Sequence, residues 1–459
     1  TNLVTGLATA NYDSVPLVCF TGQVARHLIG NDAFQEVDIV GITRSITKYG
    51  VTVRNREDLG RIIKEAFYIA GTGRPGPVLI DIPMDVQKAV IDFEYPEKCE
   101  IRSYKPTTKG NYVQVRRVMA ALEEAEKPLI CIGGGVFAAH AENEIRELAD
   151  LMQIPVITTM MGISVFPDDD QLFCGMIGTH GVKMANAAVN ECDVLFLVGA
   201  RVGDRAVKTP LALEKTTKII HIDIDPAEIG KNIGADLPLV GDAKLVLQQM
   251  TELAKPMKHD EWIAHIKTLG GEREYVEPAK GTVNPRVFID RLAKKMPANV
   301  TAVADVGQNQ IWTCTEYKFR KEGRLLTSGG MGTMGYSVPA AIGAKMADDS
   351  RATVAICGDG AFQMSFMELA TAVQFGVDIK VVVMTNNRLG MVRELQTNGY
   401  HDRQTAVFLD GSPDFIKLAE AYGIPAMRVY DDDTMEKGIE MLAEHKGICL
   451  VEVVVDKDM

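Results

Sequence analysis

The sequence predicts an α/β protein made of three doubly wound, parallel-sheet domains. Short runs rich in valine and isoleucine alternate with segments of helical periodicity along all 459 residues, which is typical of parallel sheets with crossover helices. A chain of this length also exceeds one ordinary hydrophobic core. Two polar stretches without a periodic apolar face, residues 99–110 and 253–284, are interpreted as linkers, which gives domains at 1–98, 111–253 and 285–459.

Each predicted domain contains several candidate strands and helices. Apolar runs of strand length, many bounded by proline or glycine, predict buried strands. These runs are residues 16–21, 77–82, 128–132, 155–158, 194–198, 219–224, 300–305, 353–356, 379–384 and 448–455. Helical periodicity predicts helices at residues 111–124, 142–152, 285–295, 366–375, 415–422 and 435–444.

Composition and charge exclude several classes of protein. Apolar residues make up 46% of the chain, but no apolar run approaches the roughly 20 residues of a membrane span, and no secretory signal opens the sequence. A net charge of −12 argues against nucleic-acid binding. The eight cysteines are scattered and include no CxxC pair, so we expect buried thiols in a reducing compartment, the cytoplasm.

Polar residues follow two predicted strands of the last domain. Gly358-Asp359-Gly360 follows one of them, and Asn386-Asn387 lies close behind the next. Because the carboxyl ends of parallel strands meet at one edge of a sheet, these residues are expected to lie together. One carboxylate and one amide oxygen suit a Mg²⁺ ion that is shared with substrate phosphates. An Asp-Gly pair alone is more typical of an ordinary turn, so this prediction depends on the paired strand ends.

Further glycine-rich segments lie in the central and last domains. In the central domain, a glycine triplet at 133–135, Gly199-Ala200-Arg201 and the acidic run at 221–230 suggest a nucleotide-binding domain. A glycine triplet alone is more often a simple loop. In the last domain, the glycine-rich run at 328–345 leads into a helix, and its amides are candidates to cradle a ligand. Met331 and Met334 within that run are expected to contact something large and apolar.

Several motifs together resemble one known family. With the GDG…N pattern, the runs TGQVARHLIGNDAFQEVDIVGITRSITKY (21–49), GRPGPVLIDIP (73–83), VNECDVLFLVGARVGDR (189–205), DVGQNQIW (305–312) and LTSGGMGTMGYSVPAAIGA (326–344) resemble the catalytic subunits of the acetolactate synthase family. The resemblance implies pyrimidine-binding, flavin-binding and diphosphate-binding domains, with thiamine diphosphate, Mg²⁺ and FAD as cofactors. It also implies a transferase of branched-chain amino acid biosynthesis. Such an enzyme decarboxylates pyruvate on thiamine and adds the two-carbon unit to a second 2-ketoacid, while FAD takes no net redox part.

The resemblance also assigns roles to individual residues. The metal ligands would be Asp359, Asn386 and the backbone carbonyl of Arg388, with Asn387 outside the metal shell. Gln308 and its neighbours would bind the diphosphate. Flavin would contact segments of the central domain together with Arg74. The full set of implied cofactor-binding residues is Arg74, His180, Gly181, Gly199, Arg201, Asp223, Asp242, Gly307, Gln308, Asn309, Gly332, Met334, Gly358, Gly360, Ala361 and Met391.

Catalytic residues and partners follow from the same resemblance. Met334 would lie under the bent cofactor, and Arg205 would pair with the carboxylate of the second ketoacid. Gln35 and Phe34 would line the active site of a neighbouring subunit, since the family builds each site between two chains. We therefore expect a homodimer or tetramer, 2-ketoacid substrates, a small regulatory subunit, and neither nucleic-acid nor membrane partners.

Some residues depart from the family pattern. Met84 replaces a lysine, Asn309 a histidine, and Leu395 the tryptophan that favours 2-ketobutyrate as acceptor. The family's activating glutamate would lie upstream of Thr1, so the chain is expected to be truncated at both ends and to turn over weakly or not at all as it stands. Two alternatives remain open: another thiamine-dependent decarboxylase or carboligase, such as a glyoxylate carboligase, and a non-catalytic nucleotide-binding subunit. Arg74 could equally form a structural ion pair.

Overall fold

The computed structural model describes residues 1–271 and 275–457. Three sheets, of three, six and six strands, follow one another along these residues. Every strand pair within them is parallel, which confirms the predicted fold class. We refer to residues 1–98 as the first unit, to 111–271 as the central unit and to 275–457 as the last unit.

In all three sheets, the spatial order of the strands differs from their order along the chain. From one edge to the other, the first sheet contains Leu17–Gln23, Pro77–Pro83 and Tyr49–Thr52. The central sheet contains Phe173–Met176, Val156–Thr158, Pro128–Ile132, Val194–Val198, Lys218–Asp223 and Leu237–Val240. The last sheet contains Arg324–Thr327, Thr301–Ala304, Thr353–Gly358, Lys380–Thr385, Cys449–Val454 and Ala426–Val429.

Helices connect these strands. The first unit has Val4–Tyr12, Ile39–Thr43, Leu59–Gly71 and Met84–Gln87. The central unit has Tyr112–Glu124, Gly135–Ala138, Glu142–Met152, Lys183–Glu191, Pro210–Leu213, Ala243–Thr251 and Asp260–Leu269. The last unit has Pro285–Lys295, Gln308–Glu316, Ser337–Ala347, Asp359–Phe362, Leu369–Gln374, Gly390–Gly399, Phe415–Ala421 and Asp432–Glu444.

Local sequence explains where several of these helices begin. The Asn284 side chain accepts the Arg286 amide proton at 2.9 Å, and proline follows at the first helical position. Such a cap satisfies an amide that the helix itself leaves unpaired. Asp431 forms a reciprocal capping box with Thr434 at the start of Asp432–Glu444.

The strand order of the two large sheets reverses at one point in each. In the central sheet the reversal lies between Pro128–Ile132 and Val194–Val198, and in the last sheet between Thr301–Ala304 and Thr353–Gly358. The loops at the carboxyl ends of two such strands diverge to opposite faces and leave a crevice, the usual ligand site of an open α/β sheet. The fold therefore provides one candidate crevice in each large unit.

Two helix predictions were wrong in detail. The predicted linker 253–284 contains the helix Asp260–Leu269, whose buried Trp262 donates its indole proton to the Pro128 carbonyl at 3.0 Å and so packs on the central unit. The predicted helix 366–375 is a 3₁₀ turn followed by a short α-helix that ends at Gln374.

Among the described helices, none combines the length and the apolar character that crossing a membrane requires. All eight cysteines are free thiols, six of them buried. Burial raises the pKa of the Cys131 thiol, for example, to about 12. These cysteines therefore pack as small apolar side chains, as the sequence predicts.

Candidate active site

The last unit contains a cavity of about 170 Å³ at the strand-order reversal of its sheet. Its walls come from the segments that follow three neighbouring strands, together with Met334 and Val455. Most of these lining side chains are apolar. The predicted residues that line the cavity are Gly307, Gln308, Asn309, Met334, Gly358, Asp359, Gly360, Ala361, Asn386, Arg388 and Met391.

Asp359 is the buried acidic group of this cavity, with 2% of its surface exposed. Its Oδ1 accepts the Gly360 amide proton at 2.8 Å, and its Oδ2 accepts those of Asn387 at 2.7 Å and Asn386 at 3.2 Å. Burial raises the pKa of Asp359 to about 6, and the backbone amides offset only part of that rise. A buried carboxylate without a cationic partner is costly, so its environment fits a bound divalent cation.

Asn386 and Arg388 complete the predicted metal-binding segment. The Asn386 Oδ1 accepts the Arg388 amide proton at 3.0 Å, which folds the segment back on itself. The Arg388 guanidinium is held by Asp410 at 2.9 Å and lies 4.6 Å from the Phe408 ring centre. Since that side chain is engaged elsewhere, a metal-binding role for Arg388 would fall to its backbone carbonyl.

The protein oxygens near Asp359 do not form a complete metal cage. No group of three or more histidine, cysteine, aspartate or glutamate side chains in residues 1–271 and 275–457 is arranged to hold a metal ion. A small hard cation with near-octahedral geometry would therefore take its remaining ligands from amide or carbonyl oxygens, water or a bound molecule. Diphosphate oxygens are the natural complement of such a site.

The amino end of helix Gln308–Glu316 forms the opposite wall of the cavity. It begins after Gly307, whose φ of 143° lies in a region that favours glycine. Asn309 ties two strand ends together by donating to the carbonyls of Asp305 at 2.8 Å and Ile356 at 3.1 Å. Backbone amides at a helix amino end bind phosphate well, so this wall fits a diphosphate.

Glycine at position 390 leaves room for Gln308. A Cβ atom at Gly390 would lie 1.8 Å from the Gln308 Oε1. At Gly360, a Cβ atom would lie 2.6 Å from a methyl carbon of Leu389 and 3.6 Å from the Met334 methyl carbon. Bare backbone therefore lines the cavity where a ligand would need close approach.

The glycine-rich run contributes to the cavity differently from the prediction. Met334 lines the cavity, whereas Gly332 is exposed and does not. The run's amides were expected to cradle a ligand, but the Thr333 amide donates to the Ser328 hydroxyl at 3.1 Å and the Gly335 amide donates to Asp305 at 3.0 Å. These amides hold the loop itself in shape.

Asp305 supports the cavity wall from outside, and sequence reasoning did not single it out. It is fully buried, and its carboxylate accepts amide protons from Val306 at 2.8 Å, Gly335 at 3.0 Å and Ser337 at 2.8 Å. Burial raises its pKa, while these amides lower it. Its position at the end of a predicted strand, like that of Asp359, was the signal that could have found it.

The other predicted catalytic residues lie outside this cavity. Gln35 and Phe34 are exposed, Phe34 by 88%, and Gln35 has a positive φ of 61°. Arg205 has a side chain that is 72% exposed, with Asp204 at 3.8 Å. None of the three lines the cavity within this chain.

In the central unit, glycines allow two loops to pack tightly at the strand-order reversal. A Cβ atom at Gly133 would lie 2.2 Å from the Gly199 carbonyl oxygen, and the Gly135 amide donates to that oxygen at 2.9 Å. Gly199 has a φ of 55°. Close packing of the two loops therefore explains why glycine is needed in the triplet. A contact between flavin and Gly199 stays a prediction.

Arg74 joins the first unit to the central unit. Its guanidinium pairs with Glu228 at 2.8 Å and with Asp225 at 3.5 Å, and it donates to the Ser14 hydroxyl at 3.0 Å. Glu228 is buried, so this ion pair is partly shielded from water. The structural alternative for Arg74 is therefore supported by geometry.

Two predicted flavin-binding carboxylates lie at strand ends of the central sheet. Burial raises the pKa of Asp223 to about 6, and its Oδ1 accepts the Asp225 amide proton at 2.8 Å. Asp242 caps helix Ala243–Thr251 by accepting the Leu245 amide proton at 3.1 Å. Asp223 is placed where carboxylates accept ribose hydroxyls in this class of fold.

The remaining predicted flavin residues lie in loops of the same unit. His180 is half-buried. A Cβ atom at Gly181 would lie 2.4 Å from the Met176 carbonyl oxygen, which requires glycine there. Arg201 lies near Asp13 of the first unit, whose pKa is raised by burial, and its charge offsets part of that rise.

Comparison with known proteins matches all three units to one group of enzymes. Residues 1–42 match the family model described as thiamine pyrophosphate enzyme, N-terminal TPP binding domain. Residues 115–250 match the thiamine pyrophosphate enzyme central domain. Residues 305–453 match the thiamine pyrophosphate enzyme C-terminal TPP binding domain.

Curated relatives share one name over nearly the whole chain. A probable acetolactate synthase large subunit of Methanocaldococcus jannaschii is 42% identical over 99% of this chain and 79% of its own length. An acetolactate synthase large subunit of Corynebacterium glutamicum is 42% identical over 100% of this chain and 75% of its own. The Escherichia coli isozyme 3 large subunit is 37% identical, covering 99% of this chain and 82% of the relative.

Proposed function

Because the chain belongs to the acetolactate synthase family of thiamine pyrophosphate enzymes, we propose that it decarboxylates pyruvate and condenses the remaining two-carbon unit with a second 2-ketoacid. The product would enter branched-chain amino acid biosynthesis in the cytoplasm. One observation carries the proposal: Asp359, Asn386 and the amino end of helix Gln308–Glu316 line a single cavity. The relatives' names do not favour a glyoxylate carboligase or a non-catalytic subunit.

Within this proposal, the polar wall of the cavity holds the diphosphate and its metal ion. Asp359 supplies an anionic oxygen, and Asn386 and the Arg388 carbonyl supply neutral oxygens to Mg²⁺. The amides that follow Gly307 bind phosphate oxygens at the amino end of the helix. Gln308 lies next to this end and is positioned to contact the same group.

The apolar wall shapes the reacting part of the site. Bound thiamine diphosphate supplies the carbon that attacks the ketoacid and accepts the electron pair released with CO₂. Met334 lines the cavity and would support the bound thiamine there. Trp312, Met384 and Val392 line the same cavity and keep water away from it, which strengthens electrostatic interactions inside.

A second copy of the chain completes the active site in this proposal. Phe34 and Gln35 are exposed and do not line the cavity of their own chain. An exposed aromatic residue beside a polar side chain suits insertion into a partner's site. The assembly is thus a homodimer or a tetramer, and Arg205 binds the acceptor's carboxylate once that site is complete. A small regulatory subunit is a further expected partner, since relatives are named large subunits.

Acceptor preference is assigned to position 395. Leu395 lines the cavity and is 52% exposed. A leucine lacks the flat aromatic surface against which the additional methyl group of 2-ketobutyrate would pack. We therefore expect no strong preference for 2-ketobutyrate over pyruvate as acceptor.

FAD is assigned to the crevice of the central unit. The half-buried Asp223 would accept a ribose hydroxyl, and the backbone of the three glycines at 133–135 packs against Gly199 at the neighbouring strand end. Reaching Arg74 would require the flavin to compete with the Glu228 ion pair. Visible absorption of the purified protein tests this assignment, because a protein without a flavin band would contradict it.

Product analysis tests the proposed reaction. The whole protein is incubated with thiamine diphosphate, Mg²⁺ and pyruvate, with and without 2-ketobutyrate. Acetolactate is the expected product from pyruvate alone. Acetaldehyde without acetolactate would instead indicate a simple decarboxylase, and failure to bind thiamine diphosphate would favour a nucleotide-binding subunit.

A further inference from the structure

The glycine-rich loop, residues 328–335, is held in its middle by the other two units. The Gly330 amide donates to the Asp13 Oδ1 of the first unit at 2.7 Å. The hydroxyl oxygens of Thr333 and Thr9 lie 2.7 Å apart. Met161 of the central unit packs on the loop's other side. The loop is therefore a point at which all three units meet.

The contacts at Asp13 leave no room for a side chain on the loop. A Cβ atom at Gly330 would lie 2.8 Å from the Asp13 Oδ1 and 3.0 Å from both the Cβ and the carbonyl oxygen of Tyr12. A Cβ atom at Gly329 would lie 2.3 Å from the Met161 sulfur. These two glycines are thus explained by close approach from other units and not by a ligand.

The loop needs such external anchors because glycine-rich backbone has many accessible conformations, and fixing one of them costs entropy. Its own unit secures the ends of the loop, where the Thr333 amide donates to Ser328 and the Gly335 amide donates to Asp305. Between those ends, the Gly330 amide donates a hydrogen bond to the carboxylate of Asp13, a charged acceptor. Hydrogen bonds to charged acceptors are the stronger kind.

Met334 lies four residues after Gly330 and next to Thr333, whose hydroxyl meets that of Thr9, and it lines the cavity. Asp13 itself lies just after helix Val4–Tyr12, whose buried residues are Leu7, Ala8 and Ala10, so the anchor stands on an ordered element. Burial raises the pKa of Asp13, while the Gly330 amide and Arg201 lower it.

We propose that Asp13 is a positioning residue of the thiamine site, which fixes the glycine-rich loop through the Gly330 amide and thereby holds Met334 against the cofactor. The inference rests on the proposed function, because the position of Met334 matters only if thiamine diphosphate occupies the cavity. It assigns to the first unit a part in shaping the cavity of its own chain, separate from the exposed Phe34 and Gln35.

Four variants separate positioning from general stability. Asp13→Ala removes the acceptor, whereas Asp13→Asn keeps an oxygen for the Gly330 amide. Thr9→Val removes the weaker hydroxyl contact to the same loop. It replaces Asp13→Ala as the test of loop positioning if Asp13→Ala does not fold. Asp193→Ala is the matched control, because Asp193 accepts the Glu126 and Lys127 amides at 2.7 and 3.0 Å, at the amino edge of the central sheet.

Cofactor binding is read from tryptophan fluorescence during titration with thiamine diphosphate and Mg²⁺. Trp312 lines the cavity, while Trp262, the other of two tryptophans, lies in the central unit and gives a constant background. Thermal unfolding is measured on each variant, and kcat and the KM for pyruvate are measured in the whole protein.

Asp13→Ala is expected to weaken thiamine diphosphate binding by about tenfold to a hundredfold, the equivalent of one hydrogen bond to a charged acceptor. It should lower kcat with little change in the KM for pyruvate, because Asp13 lies outside the cavity. Asp13→Asn should stay within about threefold of wild type, since its oxygen still accepts the amide proton. Thr9→Val should show a smaller effect of the same kind, and Asp193→Ala should change stability alone.

Three results would overturn the inference. Asp13→Ala could bind the cofactor as wild type does, Asp13→Asn could be as defective as Asp13→Ala, or Asp193→Ala could lose as much affinity as Asp13→Ala. If thiamine diphosphate does not change the Trp312 fluorescence of the wild-type protein, the proposed function and the inference are both overturned.

Discussion

Replacing Gly390 with alanine should weaken cofactor binding without weakening the fold. The new Cβ would lie 1.8 Å from the Gln308 Oε1. Because heavy atoms pack no closer than about 3.5 Å, the Gln308 amide would have to move by roughly 1.7 Å. The Gln308 side chain can rotate away, but it then gives up its contact with the Asn386 amide at 3.5 Å and leaves the wall that faces the proposed diphosphate.

Gly390→Ala is expected to lower cofactor affinity but not the free energy of unfolding. Losing one hydrogen bond to a charged phosphate costs about 1.5–3 kcal/mol, so thiamine diphosphate should bind about tenfold to a hundredfold more weakly. Alanine is favoured over glycine within a helix by up to about 1 kcal/mol. Gly390 is the first residue of helix Gly390–Gly399, so the free energy of unfolding should stay constant or rise slightly.

Gly399 provides the matched control at the other end of the same helix. A Cβ atom there meets no heavy atom within 4 Å, so Gly399→Ala should affect neither affinity nor stability by more than the helix preference. Affinity is measured by Trp312 fluorescence and stability by urea unfolding monitored by circular dichroism. Wild-type affinity in Gly390→Ala, or an equal loss in Gly399→Ala, would refute the assignment of Gln308 to the diphosphate.

Three further outcomes are expected. Asp359→Asn should abolish the Mg²⁺ dependence of thiamine diphosphate binding, because it removes the anionic oxygen from the proposed metal shell; calorimetric titration at several Mg²⁺ concentrations checks this. Leu395→Trp should shift the product ratio towards the 2-ketobutyrate adduct when both acceptors compete, which chromatography of the products measures. Burial raises the pKa of Asp168 from 3.8 to about 6, so its ionised form destabilises the fold increasingly as pH rises through that range. Asp168→Asn keeps an acceptor for the Phe319 amide, so its stability relative to wild type should rise by roughly 2 kcal/mol from pH 4 to pH 7 and then stay level, as unfolding in urea at each pH would show.

The polar wall of the cavity was predictable because strand-end reasoning needs only local sequence. Asp359 follows one buried run and Asn386 lies just beyond the next, and parallel pairing brings such ends to one edge. The backbone amides of Asn386 and Asn387 donate hydrogen bonds to the Asp359 carboxylate, which confirms that these strand ends meet. The same reasoning applied to Asp305 would have identified it as well.

Most edge strands were not predictable on the same basis, although Leu17–Gln23, which also lies at an edge, corresponds to the predicted strand 16–21. Five four-residue strands in the described part of the chain have no counterpart among the predictions, and each lies at the edge of its sheet. An edge strand is covered less completely than a central one, so it lacks the continuous apolar run by which a buried strand is recognised. These strands are Tyr49–Thr52, Phe173–Met176, Leu237–Val240, Arg324–Thr327 and Ala426–Val429.

The helix in the predicted linker was missed for a related reason. Only Trp262 and Ile266 of Asp260–Leu269 are buried, one turn apart, while most of its other residues are polar or charged. Two apolar positions do not distinguish a helix that packs against the sheet of its own unit from a solvated connection. What fixes this helix is the long-range bond from Trp262 to Pro128, which no window of local sequence contains.

Whether a position requires glycine depends on the atoms that pack against it, and at these positions those atoms are distant in sequence. Gly330 and Gly390 both lie in segments that the sequence associates with the cofactor, yet one meets Asp13 of the first unit and the other meets Gln308 in the cavity wall. An added methyl group would therefore press on an interface between units at position 330 but on the diphosphate site at position 390. Substitutions at these two glycines should differ accordingly: Gly330→Ala should destabilise the fold as well as the site, whereas Gly390→Ala should affect the site alone.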